Sequence, residues 1–348
     1  MEAKIKLWLV LSLLLAANCM QHYCVHAEPL VPCLFAFGDS LTDCGNNNNR
    51  ATLGRANFIP YGIDFPQGPT GRFTNGRTSF DFISELLGFQ KFIPPHADTS
   101  GSDILKGVNY ASGGAGIRPE SGMVGGDNID LENQVSNHRA IFSEISEKLG
   151  GSENATEYLN KCLYYVNIGT NDYLFNYFFF PIYLTRLFYT PQQYADTLLV
   201  RLFKYIQELH DDFGARKFVV VGVADIGCIP ATTHQTNGSC VEEMSDAVSI
   251  YNDKLKSRVD QFNNHSSTHS KSIFVPSLDR SIIPDFPVVN APCCPTPCLP
   301  NRTLCQNRSN YMFWDETHPS EAANRITAQR SSNDIMRLVQ SSIQTTTP

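Results

Sequence analysis

The chain has 348 residues, 42% hydrophobic and 18% charged, a balance that excludes an intrinsically disordered polymer and gives enough apolar material for a sizeable core. Its 27 basic and 34 acidic residues give a formal charge of −7, and no basic block reverses that sign. A surface of this kind repels phosphate backbones, so nucleic acid is not an expected partner.

The first element is a leader. Lys4 and Lys6 precede an apolar run over residues 7–17 broken only by Ser12, and Val25 and Ala27 place small residues before a cut after Ala27. The run is shorter than the roughly 20 residues a membrane span needs, so residues 1–27 read as a signal peptide and no stable membrane anchor is expected. Removing Glu2, Lys4 and Lys6 leaves 25 basic and 33 acidic residues, a net charge of −8. Cys19 and Cys24 leave as well. Nine cysteines remain: Cys33, Cys44, Cys162, Cys228, Cys240, Cys293, Cys294, Cys298 and Cys305. An oxidising compartment pairs most of them and leaves at least one unpaired. Cys228 with Cys240, and some pairing within 293–305, are plausible short loops. The late cluster lacks the clean paired spacing of a zinc site, so no metal is expected. Sequons at Asn154, Asn237, Asn264, Asn301 and Asn307 point to a secreted glycoprotein.

Beyond the leader, short apolar runs alternate with longer amphipathic stretches. Strands are predicted at 34–37, 107–111, 163–168, 218–223 and 272–275, and helices at 78–87, 128–149, 191–213, 241–263 and 320–343. This alternation predicts one α/β domain over residues 28–348, with a parallel sheet covered by helices on both faces. Sheets of that kind place their chemistry in loops at the carboxyl ends of the strands. Three strands run straight into small polar residues: Gly38-Asp39-Ser40, Ser112-Gly113-Gly114-Ala115-Gly116 and Gly169-Thr170-Asn171-Asp172. All three loops should open on one edge.

In the first loop, Ser40 is either an exposed nucleophile or an ordinary helix N-cap. Near the other end, Asp315 and His318 lie three apart, close enough for a carboxylate to orient an imidazole within a turn. An incidental surface histidine would give the same pattern. Acyl transfer also needs donors for an oxyanion. Candidates are the Ser40 N–H, a glycine N–H in 112–116 and the Asn171 side-chain amide, although each could be a plain turn residue. The aromatic run at 174–189 either lines or covers an acyl pocket or packs as ordinary core. No G-x-S-x-G elbow is present, which disfavours an α/β-hydrolase.

Together these residues carry a family resemblance. Phe37-Gly38-Asp39-Ser40-Leu41, with Asp43 and Gly45-Asn46-Asn47, resembles the opening motif of plant GDSL esterase/lipases of the SGNH hydrolase superfamily. Asn109 to Gly116, Ile168 to Asp172 and Asp315 to Pro319 resemble the later motifs in order. So do Tyr61-Gly-Ile-Asp-Phe-Pro66, Gly68 to Phe73 and Asn75-Gly-Arg77. The resemblance covers nearly the whole mature chain. It implies a flavodoxin-like three-layer α/β/α sandwich with a five-stranded parallel sheet and no cofactor. Ser40 is then the nucleophile, His318 the base and Asp315 its partner. Ser40, Gly113 and Asn171 are the oxyanion donors. The implied activity is secreted carboxylester hydrolysis of acyl lipids or other small esters, in the apoplast or cell wall. An acyltransferase of polyester type on the same site and a non-catalytic binding glycoprotein are the alternatives. One departure is Cys44, where the family carries asparagine or another polar residue.

Overall fold

The computed structural model describes residues 28–99, 101–265, 270–279 and 284–340. The predicted leader and the last residues of the predicted helix 320–343 lie outside them. Four parallel strands form the central sheet: β1 (Leu34–Gly38), β2 (Leu163–Asn167), β3 (Lys217–Val221) and β4 (Lys271–Val275), in that order. The registers Phe35↔Tyr164, Tyr164↔Phe218 and Phe218↔Ser272 align the strands so that their carboxyl ends fall on one edge. Every residue of β1, β2 and β3 is buried, which is why these strands read as continuous apolar runs rather than alternating ones.

Successive side chains still point to opposite faces. Phe35 and Phe37 pack with one cluster, whereas Leu34 and Ala36 pack with another. The first cluster is completed by α2 (Leu131–Leu149), α3 (Ser152–Leu159), α4 (Pro191–Phe213) and α5 (Glu242–His265), through residues such as Ile145, Leu202 and Leu255. The second is completed by α1 (Ser79–Leu86) and α6 (Glu321–Gln340), through Phe80, Ile83 and Ile335. Each fully buried aliphatic side chain contributes roughly 1.5–3 kcal/mol of transfer free energy. The layers are therefore those of an α/β/α sandwich.

The predicted fifth strand is reduced to isolated bridges at Asn109, one to Ala36 of β1 and one to Pro95. Residues 107–111 run beside β1 on the side away from β2. Ala36 N–H donates to Val108 O at 3.0 Å and Tyr110 N–H to Ala36 O at 2.8 Å, with a single parallel pairing of Ala36 and Asn109. The ladder does not extend because Gly38 N–H donates to Gln134 Oε1 at 2.8 Å instead of to this segment, and two further features mark the irregular backbone. Gly107 has φ +123°, and a Cβ there would overlap the Leu34 carbonyl. The Asn109 side chain donates to Thr42 O at 2.8 Å and accepts from Ala111 N–H at 2.9 Å, turning the chain toward the site.

Helix boundaries follow local chemistry. In α4, Thr190 and Gln193 form a capping box, Pro191 sits in the first turn, and Gly214 closes the end at φ +78°. Helix α2 starts at Leu131 rather than at 128 because Asp130 caps it, accepting from Asn133 N–H at 2.8 Å.

Four disulfides join Cys33 to Cys162, Cys228 to Cys240, Cys293 to Cys305 and Cys294 to Cys298, and Cys44 is free and buried. The Cys33–Cys162 bridge ties the start of β1 to that of β2 across 129 residues, a pairing that spacing alone does not reveal. The late cysteines are consumed as disulfides, leaving no thiolates for a zinc ion there. All five sequon asparagines are exposed. Among the described residues, no helix is long and apolar enough to cross a membrane.

Candidate active site

Ser40 sits two residues past the end of β1. Gly38 is required there, since an added Cβ would lie 2.7 Å from the Asn167 carbonyl of the neighbouring strand. The chain then folds into a tight turn. Thr42 and Asp43 N–H donate to the Asp39 carbonyl at 3.0 and 2.9 Å, and Leu41 N–H donates to Asp39 Oδ1 at 3.0 Å. No regular helix starts at this turn, so Ser40 caps none. Among the described residues its N–H has no hydrogen-bond partner, and the residue lines the cleft.

The segment carrying His318 comes from the far end of the chain. It follows β6 (Tyr311–Phe313), which pairs in parallel with β5 (Val288–Pro292) in a small separate sheet. Trp314 N–H donates to His318 O at 2.8 Å and closes the turn. Asp315 Oδ1 accepts the N–H groups of Thr317 and His318 at 2.9 and 2.7 Å. The double-cysteine loop braces the turn from outside, with Cys293 N–H on Phe313 O at 3.1 Å and Cys294 N–H on Trp314 O at 2.7 Å.

The turn points the imidazole at the serine. His318 Nδ1 lies 2.9 and 2.8 Å from the two oxygens of Asp315, and His318 Nε2 lies 2.8 Å from Ser40 Oγ. Residues 278 apart in sequence thus form one hydrogen-bonded chain. With the Nδ1 proton given to Asp315, Nε2 presents its lone pair to the serine hydroxyl. Burial pushes the Asp315 carboxyl upward, but the facing imidazole, the Thr317 N–H and the Tyr61 hydroxyl outweigh it and hold it below the usual carboxylate range. The Phe73 ring packs on the imidazole with 5.0 Å between centroids.

The glycine loop differs from the sequence expectation at Gly113. Its N–H donates to Asp43 Oδ2 at 2.8 Å and so is turned from the cleft toward a buried carboxylate. That carboxylate also accepts from Gly45 and Asn46 N–H, at 2.8 and 2.9 Å. Gly113 is needed for space: a Cβ would lie 2.5 Å from the Phe73 ring and 2.9 Å from Asn47 Nδ2. The neighbouring Gly114, at φ +85°, lines the cleft, and its N–H has no partner among the described residues. Asn171 gives one amide proton to Ala115 O at 2.8 Å and lines the cleft.

Asp172 knits these loops together. It accepts from Ile117 N–H at 2.8 Å, Arg118 N–H at 3.0 Å and the Ser121 hydroxyl at 2.7 Å. Burial pushes Asp39 up to about 7 and both Asp43 and Asp172 up to about 6, against the backbone donors that hold them down. Asp43, Asp172, Phe73 and Tyr61 stand in the matched motifs, but only contacts distant in sequence reveal what each side chain touches. The signal available beforehand was an aspartate among small and apolar residues, a pattern that implies a buried carboxylate with dedicated donors.

Beside Ser40 and His318 opens a cavity of about 380 Å³. Its walls are mainly apolar, with Leu41, Leu174, Phe175, Phe180, Ile226 and Leu278 among them. The aromatic run is divided between two jobs. It begins as a wide π-helical turn, Asp172–Phe179, which aims Leu174 and Phe175 at the cavity while Tyr173 and Tyr177 pack into the core.

The sequence pattern of the GDSL-like lipase/acylhydrolase family matches residues 34–331. The chain belongs to this family. It is 44% identical to a GDSL esterase/lipase of Arabidopsis thaliana over 96% of its own length and 95% of the relative's. A second Arabidopsis thaliana GDSL esterase/lipase is 42% identical over 98% of this chain and 100% of that protein. Solved structures are more remote. A family two carbohydrate esterase from Cellvibrio japonicus aligns over 90% of this chain and 63% of its own, at 14% identity and a TM-score of 0.41, too loose a match to inform the site.

This GDSL esterase/lipase is therefore a carboxylester hydrolase. Its cysteine at position 44 does not reach the cleft. The thiol donates to Ile93 O at 3.7 Å, and burial pushes its ionisation far up, so it is an inert part of the wall behind the site.

Proposed function

We propose that this family member is a secreted esterase of residues 28–348 that hydrolyses fatty-acyl esters through an acyl-enzyme on Ser40. The observation that carries the reading is the 2.8 Å contact of Ser40 Oγ with His318 Nε2 at the mouth of an apolar cavity. His318 takes the hydroxyl proton as Ser40 attacks the carbonyl, and Asp315 stabilises the imidazolium. The oxyanion is received by the Ser40 N–H, the second Asn171 amide proton and, in place of Gly113, the Gly114 N–H. The alcohol leaves with the proton from His318, and water then releases the acid by the same steps in reverse. Secretion is supported by the leader pattern, the four disulfides and the exposed sequons.

The cavity predicts a chain-length preference. Each methylene buried in an apolar pocket contributes about 0.8 kcal/mol, roughly fourfold in kcat/KM. Across a series of p-nitrophenyl esters, kcat/KM should climb about two orders of magnitude from acetate to hexanoate before levelling off. A flat or falling series, with Ser40→Ala as the blank, would remove the fatty-acyl assignment and favour acetylated substrates. Asn171→Ala should lower kcat by about 10²–10³-fold with little change in KM, because its amide serves the oxyanion more than the bound ester. Steady-state kinetics on the hexanoate ester would measure it. A loss below about tenfold would exclude Asn171 as a donor.

A further inference from the structure

We propose that Tyr61 is a positioning residue for the reaction, holding Asp315 by a buried hydrogen bond and thereby setting how strongly His318 acts as a base. The inference rests on the Ser40–His318–Asp315 reading above and extends it to a residue that never meets substrate. Tyr61 Oη donates to Asp315 Oδ2 at 2.8 Å. The same oxygen faces His318 Nδ1, also at 2.8 Å, while Oδ1, 2.9 Å from Nδ1, is shared with the Thr317 and His318 N–H groups. The hydroxyl therefore competes with the imidazole for one carboxylate oxygen. It fixes the plane of the carboxylate and takes up part of its charge.

The surroundings are built to keep Tyr61 in this place. It belongs to a buried cluster with Ala56, Phe73, Cys293, Cys294 and Trp314. Its ring meets Phe73 edge-on at 6.2 Å, and Phe73 in turn packs on the imidazole. The next residue, Gly62, donates its N–H to Thr74 O at 2.9 Å, and Asn75 Oδ1 accepts from Glu321 N–H at 2.8 Å at the start of α6. The loop carrying Tyr61 is thus tied, through residues 74 and 75, to the helix that follows the His318 turn. Tyr61 does not line the cavity, so any effect it has must pass through Asp315 or Phe73. Burial, reinforced by the charge of Asp315, pushes its ionisation well above the ordinary tyrosine range, which leaves the hydroxyl a donor throughout the working pH range.

The sign of the effect follows. Removing the donor leaves more negative charge facing the imidazole, favours the imidazolium, and moves the acidic limb of kcat/KM to higher pH. The other titrating groups near the turn are Asp39, in electrostatic reach of His318 from the β1 loop, and the Glu316–His234 pair on its outer side. Both remain unchanged in the variant.

The experiment compares the full-length secreted enzyme with Tyr61→Phe, which keeps the ring packing and loses only the hydroxyl. kcat and KM for a soluble p-nitrophenyl ester are measured from about pH 4 to about pH 9, together with the rate of fluorophosphonate labelling of Ser40. We expect kcat and labelling to fall about tenfold, because the carboxylate loses the bond that fixes its plane against the imidazole and this outweighs the gain in basicity; KM should stay within about twofold, and the acidic limb should shift upward. In an Asp315→Asn background the same substitution should cost almost nothing further. An unmoved limb, a loss confined to KM, or full additivity with Asp315→Asn would overturn the proposal. An active Ser40→Ala enzyme would instead sink the underlying triad reading, so the two failures are distinguishable.

Discussion

Ser40→Ala is expected to lose at least about ten-thousandfold in kcat for ester hydrolysis while remaining folded. The side chain is half-buried, and among the described residues its hydroxyl makes one hydrogen bond, to His318 Nε2. Removing it creates no core cavity and orphans no group that water cannot reach from the cleft. The sheet, the four disulfides and the Asp39 turn do not depend on it. Chemistry, in contrast, loses the atom that forms the acyl-enzyme. What survives is transition-state binding by the oxyanion donors, worth about 10³–10⁴ over water in enzymes of this mechanistic type. Hydrolysis of the hexanoate ester, circular dichroism, and mass spectrometry after fluorophosphonate treatment check the three parts. A variant that still turns over ester at near-native rate, or a phosphonate adduct on another residue, would move the nucleophile elsewhere.

The fold was legible because its strands announce themselves. Phe218 to Val221 is apolar at every position, the composition typical of a strand buried on both faces. Helix α4 was legible to the residue, since Thr190, Pro191 and Gly214 mark both ends locally. The segment 107–111 looked equally strand-like. Whether it pairs fully depends on where Gly38 N–H goes, and its partner Gln134 is 96 positions away, so that is not a local property. The same division holds at the site. Ser40, Asp315 and His318 could be nominated from their own loops. That Gly113 gives its N–H to Asp43 could not, because the two residues are 70 positions apart and either glycine of the pair fits the motif. Tyr61 is the extreme case, 254 positions from its partner, in a motif whose sequence carries no sign of a carboxylate contact.

Asp315→Asn should cost about as much as losing a member of any comparable triad, on the order of 10⁴-fold in kcat, although it changes little in size. The reason is a count of donors and acceptors. Asp315 accepts from the Thr317 and His318 N–H groups on Oδ1 and from the Tyr61 hydroxyl on Oδ2, and both oxygens face His318 Nδ1. A carboxamide has one oxygen, and the two backbone donors, fixed by the turn, claim it. The NH₂ group then takes the Oδ2 position. Tyr61 adapts by rotating its hydroxyl to accept. The imidazole adapts by leaving Nδ1 bare to accept from the amide, with the Thr317 hydroxyl 3.0 Å away able to turn toward the same nitrogen as a second donor, and its proton moves to Nε2. That nitrogen now offers a hydrogen to Ser40 where a lone pair is needed, so the serine is held in place and not deprotonated. Nitrogen-15 shifts of the imidazole would report the exchanged tautomer directly, alongside the loss of kcat at the pH optimum. A variant within about tenfold of native rate would show that the base works without its carboxylate, and that the 2.8 Å contact serves the turn rather than the chemistry.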